Sequence, residues 1–230
     1  GESEAMPSAT RVRDHARRGQ LDAAVLMRWV ELVGSLKELS MPPVETAAGE
    51  NVFADFATAD LREWFFEGAA FPPGAGAADD VVINLGGAPG MTVLPKGWVS
   101  TALLSDRLQG AFRSPTFTIE RDYIHLLVAG KGARVNAVVE NFTLIKNPIW
   151  GGSRTEIKEA KPHWVTLDLR MAQGRRAWLE LLDQSVGDPA GKGSYPANAW
   201  FAVRQVIFSD DRKTPGGRRM HPEAVAVERL

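Results

Sequence analysis

The chain is 230 residues long, with 44% hydrophobic and 24% charged residues, a net charge of −1 and no cysteine. That length suffices for one large β-domain or two small ones with a substantial core. The composition excludes disulfides and thiolate metal sites, supplies no electrostatic pull toward nucleic acid or an anionic membrane, and contains no apolar run of membrane-spanning length.

Residues 1–20 are polar, small or basic and read as a frayed end or the outer turn of a helix. The opening Gly1-Glu-Ser-Glu4 has no initiator Met and no signal-peptide pattern, as expected of a piece of something longer. Spacing predicts one long helix, Leu21–Leu39, with Leu26, Trp29, Val30, Val33 and Leu36 on one side and Ser40-Met-Pro-Pro43 as its stop. The expected organisation is a helical segment and linker over 1–43, a β-sandwich domain over 44–210 and an exit tail over 211–230.

From Val52 the pattern changes to short alternating or apolar runs bounded by Gly, Pro, Asn and Asp. Strands are expected at Val52–Phe56, Trp64–Phe66, Val81–Ile83 and Met91–Leu94. Phe117–Ile119 and Tyr123–Val128 are expected to form a hairpin about Glu120-Arg-Asp122. Val135–Ile145, His163–Leu169, Arg176–Leu182 and Trp200–Phe208 complete the set. Strands at this spacing without intervening helices imply a mainly β fold, an antiparallel sandwich of the jelly-roll variety preceded by one α-helix.

Two loops are longer than hairpins need: Asn147 to Pro162, and Gln184 to Ala199. Long loops on a rigid sandwich carry function disproportionately. If Val135–Ile145 is a single strand, strand parity places both at one end of the sandwich; a tight turn at Glu140-Asn141 would break that inference. The loops carry Asn147, Trp150 and Arg154 in the first and Tyr195 and Asn198 in the second. An aromatic face among amide and guanidinium donors suits a sugar, whose CH face stacks while its hydroxyls form hydrogen bonds. The plainer alternative has Trp150 plugging its own loop and Arg154 as a surface charge.

Catalytic motifs are missing: no Gly-x-Ser-x-Gly, no His-Glu-x-x-His and no P-loop. His125 alternates with Ile124 and Leu126 and is expected on the outer sheet face. A glycosidase pair such as Glu140 and Asp183 has no support from spacing. Asp55 and Asp60 are candidate ligands for a structural Ca²⁺ between the first strand and the last, against the plainer reading of solvated aspartates.

The runs Phe53-Ala-Asp-Phe56 and Ser114-Pro-Thr-Phe-Thr-Ile119 resemble galactose-binding-domain-like modules, which accompany fructan-cleaving glycoside hydrolases. The later runs Asn147-Pro-Ile-Trp-Gly151, Trp164-Val-Thr-Leu-Asp-Leu169 and Gly174-Arg-Arg-Ala-Trp-Leu-Glu-Leu-Leu-Asp183 resemble the domain embedded in planctomycete cytochrome-c-domain surface proteins. The resemblance implies a jelly-roll domain in an exported, polysaccharide-associated protein, with an oligosaccharide or polysaccharide and neighbouring domains as partners, and no catalytic residues. The related modules carry an acidic residue in the last strand, where this chain has Val203-Arg-Gln-Val206, which argues against a calcium-linked role there. The leading expectation is a non-catalytic carbohydrate-binding module; the alternatives are a structural domain that orients its neighbours, and a polysaccharide lyase or hydrolase.

Overall fold

The computed structural model describes residues 19, 22–37, 46–71, 82–84, 92–94, 96–140, 152–183 and 198–215. The chain divides into two compact units, Gly1–Pro42 and Pro43–Leu230. In the first, helix α1 spans Ala23–Lys37, inside the expected range. Asp22 caps it, its Oδ1 accepting from the backbone N–H groups of Ala24 (2.8 Å) and Val25 (3.1 Å), two donors that otherwise lack partners in a first helical turn.

The second unit is a two-layer antiparallel sandwich. In chain order its strands are β1 (Asn51–Asp55), β2 (Phe65–Glu67), β3 (Val82–Asn84), β4 (Thr92–Leu94), β5 (Val99–Ser100), β6 (Ala111–Arg113) and β7 (Phe117–Thr118). They continue with β8 (Tyr123–Lys131), β9 (Ala133–Val139), β10 (Arg154–Ile157), β11 (His163–Asp168), β12 (Arg176–Asp183) and β13 (Trp200–Ser209). One sheet runs β1-β13-β8-β11, with β5 also on β13; the other runs β10-β9-β12-β6-β2, with β7 also on β12; β3 and β4 pair with each other.

Alternation decides which side chains meet between the layers. On β12, Ala177, Leu179 and Leu181 are fully buried while Trp178, Glu180 and Leu182 point to the other face and are half-buried. Ile124, Leu126 and Val128 of β8, Val135 and Ala137 of β9, and Val203 and Val206 of β13 fill the same core. Aromatic rings close one side: Trp64 stacks on Phe112 at 4.7 Å and Phe53 on Phe208 at 4.6 Å. Each such side chain contributes about 1.5–3 kcal/mol by leaving water. The outer face of β8 is buried as well, through His125, Leu127 and Ala129. Of the six described tryptophans, Trp64, Trp98 and Trp200 are buried.

Three expectations change. Phe117–Thr118 and Tyr123–Lys131 form no hairpin: β7 pairs with β12 in one sheet and β8 with β13 and β11 in the other, so Glu120–Asp122 is a crossing between layers. β9 stops at Val139, and Glu140 takes a left-handed φ of 56°; residues 141–145 lie outside the described residues. The strand β10 occupies part of the expected first long loop, its Ile157 side chain entering the core.

That extra strand reverses the parity argument. β9 ends level with the start of β12, Val139 opposite Ala177, and β12 ends at Asp183 opposite Ala133, where β9 begins. The chain therefore leaves the sandwich after Glu140 at the end where β8 begins. It leaves after Asp183 at the end where β8 finishes, and returns there through Trp200 opposite Lys131. The two long loops are anchored at opposite ends.

Candidate functional site

The outer face of the six-stranded sheet carries a row of side chains set by register. Arg154 of β10 stands opposite Asn136 of β9, Asn136 opposite Glu180 of β12, Glu180 opposite Arg113 of β6, and Arg113 opposite Phe65 of β2. Directly opposed residues share a face, and five strands spaced by roughly 4.8 Å give a row on the order of 19 Å long. Their chain neighbours Ala137, Leu179 and Phe112 turn into the core, which fixes the outward direction.

The row is bonded within itself. Glu180 accepts from Arg113 Nε at 2.9 Å and from Asn136 Nδ2 at 3.3 Å. Arg113 reaches Glu67 Oε2 through Nη1 at 3.0 Å. At the β10 edge Glu156 accepts from Arg154 Nη2 at 3.3 Å and from Lys158 Nζ at 3.0 Å. The hydrogen bond from Lys158 holds the Glu156 carboxyl below the usual carboxylate range, against the opposing pull of burial. Asn136 is 1% exposed, and its Oδ1 is buried without a hydrogen-bond partner. Trp178, half-buried, sits opposite Val138 one ladder step of the same face away, and Phe65 is 60% exposed at the other edge. Fixed donors and acceptors beside aromatic rings can hold a polyol, because each hydroxyl both donates and accepts while the sugar CH face packs on a ring.

Two of the residues anticipated from the sequence, Arg154 and Asn198, fall among the described residues. Arg154 belongs to the row, on an edge strand instead of in a loop. Asn198 lies at the end where β8 finishes, two residues before β13. Asn147, Trp150 and Tyr195 lie outside the described residues. Asn136, Glu180, Arg113 and Trp178 carry no motif in the sequence; the outward alternation of Arg176-Ala-Trp-Leu-Glu-Leu-Leu182 is the available signal for two of them, and their neighbours across the sheet come only from register.

The calcium candidates do not fit a cation. A bulge in β13 between Val203 and Gln205 allows Arg204 to ion-pair with Asp55 of β1, and Gln205 Nε2 donates to the same carboxylate at 3.0 Å. Arg204 is 5% exposed there, so a fixed guanidinium already supplies positive charge between the first and last strands. Asp60 is gripped by Arg62, whose Nε lies 2.8 Å from Oδ2, and both side chains are largely in water. That pairing lowers the Asp60 carboxyl. No group of three or more histidines or carboxylates that could hold a metal occurs among the described residues. Glu140 and Asp183 are no glycosidase pair: seven ladder positions, on the order of 23 Å, separate them, against about 5–9.5 Å for working pairs. His125 does lie on the outer sheet face, but buried. His163 bonds the Lys161 carbonyl at 2.9 Å.

No family model and no curated protein matches the sequence. Among solved structures, a family 29 carbohydrate-binding module is similar at 10% identity and a TM-score of 0.34, covering 75% of this chain and 94% of that one. A variant of such a module complexed with mannohexaose gives 10% identity and a TM-score of 0.35, over 76% and 100%. The glycoside hydrolase domain of Endo-D from Streptococcus pneumoniae R6 gives 12% identity and a TM-score of 0.30, over 65% and 22%. The sandwich assignment rests on the strand pairing itself.

Proposed function

We propose that this chain is a non-catalytic carbohydrate-binding module of an exported, polysaccharide-associated protein, with an oligosaccharide segment lying across the outer face of the six-stranded sheet. The observation that carries the reading is the Arg154–Asn136–Glu180–Arg113 row of polar side chains across the sheet, flanked by Trp178 and Phe65. A row that crosses the strands offers contacts along a glycan and no enclosed point for a single reacting bond. Asn147 and Trp150, shortly before Arg154 in the chain, are proposed as further contacts, and Trp150→Ala removes them from the site if binding is unchanged. Tyr195 and Asn198 belong to the loop anchored at the other end and are not assigned to this face.

The test is a glycan panel probed with the full chain, followed by titration of the best ligand. Trp178→Ala and Glu180→Gln are each expected to weaken binding about tenfold, close to 1.4 kcal/mol, titrated at a temperature at which circular dichroism shows each variant folded. Silence across the panel, or variants that bind as tightly as the parent, removes the proposal. One observation favours a second reading, a domain that docks on neighbours: Val25 of α1 is 50% exposed, and among the described helix side chains none is buried. Among the described residues no helix is long and apolar enough to cross a membrane.

A further inference from the structure

We infer that the ligand of this face is an acidic polysaccharide, whose carboxylate or sulfate ester is received by Arg176 beside the Trp178 ring. The inference rests on the carbohydrate-binding reading and adds the chemical class of the glycan.

The charged side chains of the row are largely matched to one another. Arg113 is neutralised by Glu67 and Glu180, and Arg154 shares Glu156 with Lys158. Arg176 stands outside these pairs, at the start of β12. Arg176 is exposed and makes no ion pair among the described residues, and Arg175 next to it is exposed too. The nearest acidic residue by register is Glu140, at the turn beyond β9; its backbone N–H donates to the Arg176 carbonyl at 2.8 Å, yet its carboxylate forms no ion pair with that guanidinium. Alternation along β12 puts Arg176 and Trp178 on one face, two residues or about 7 Å apart. Exposed Thr118 stands opposite Arg176 and adds a hydroxyl.

That geometry reads an acidic sugar in two parts. The half-buried indole takes the CH face of one ring. The planar guanidinium takes two oxygens of a carboxylate or sulfate through parallel charge-assisted hydrogen bonds, a geometry an ammonium reproduces only in part. A neutral glycan would engage the ring and the polar row and leave Arg176 solvated.

The test is calorimetric titration of the full chain with four probes: oligogalacturonate for the carboxylate, chondroitin sulfate oligomers for the sulfate ester, and mannohexaose and cellohexaose as neutral chains. At least one acidic probe is expected to bind about tenfold or more tightly than both neutral ones, and the preferred acidic probe identifies the anion. Arg176→Gln is expected to remove that preference and Arg176→Lys to keep part of it. Arg107→Gln, an exposed arginine in the segment between β5 and β6, serves as control for long-range attraction. Equal losses for Arg107→Gln and Arg176→Gln, or a preference that vanishes entirely between about 50 and 300 mM salt, overturn the subsite. Neutral probes binding as well as acidic ones, with Arg176→Gln unaffected, overturn the inference and leave the carbohydrate reading standing. No binding of any probe, together with a silent glycan panel, removes both.

Discussion

His125 ties two segments together with one ring. Its Nε2 lies 2.9 Å from the Asp211 carbonyl and its Nδ1 2.9 Å from Thr166 Oγ1. A carbonyl only accepts, so Nε2 carries the proton and the Thr166 hydroxyl donates to Nδ1 in the neutral ring. Burial lowers the pKa of this histidine, with the Asp211 hydrogen bond and the charges of Glu50 and Asp211 pulling the other way. The sign follows: below the ordinary histidine pKa of about 6.5 the unfolded chain binds a proton that the folded chain resists, so stability is lost as pH falls through that range. The urea midpoint is expected to drop between about pH 7.5 and pH 5, and to drop less in His125→Gln. Identical pH dependence in the two proteins would show that another group governs it. Asp55 and Arg204 act at the same scale, an almost fully buried guanidinium matched by one carboxylate, with Arg204 Nε left without a partner.

At the scale of elements, β8 and β13 are the spine of the first sheet, paired from Trp200 opposite Lys131 to Ser209 opposite Tyr123. The backbones leave no room for a side chain at Gly130, whose φ is 146° and where an added Cβ would lie 2.2 Å from the Trp200 carbonyl oxygen. Gly174, in the turn before β12, has φ 76° and nothing within 4 Å. The two glycines separate backbone strain from collision. Gly174→Ala is expected to cost about 1 kcal/mol from left-handed strain alone. Gly130→Ala adds a clash with backbone that cannot rotate away, and about 3 kcal/mol or more is expected. Chemical denaturation of both variants checks the difference, and equal costs would show that the two strands separate easily at Gly130.

At the scale of the molecule, residues 43–230 form a compact unit with their own core. A chain lacking residues 1–42 is expected to unfold cooperatively and keep a β-type circular dichroism spectrum. Loss of cooperativity would mean that the helical unit completes the sandwich. The fold also explains why one polar row can run straight across a sheet: β10, β9, β12, β6 and β2 are neighbours in space though their residues come from five separate parts of the chain.

The amino-acid order alone determined the strand-rich character, the position of the helix and the inward set of β12, because alternation with a period of two is local and Leu179 or Glu180 declares its side through its neighbours. Tertiary structure alone decided which strands pair. Phe117 and Tyr123 are six residues apart yet belong to different layers, and Arg154 entered a sheet because Ile157 could be buried with it. The same limit hid the face. Asn136, Glu180 and Arg113 meet only through ladder register, a relation between distant segments that local periodicity does not encode.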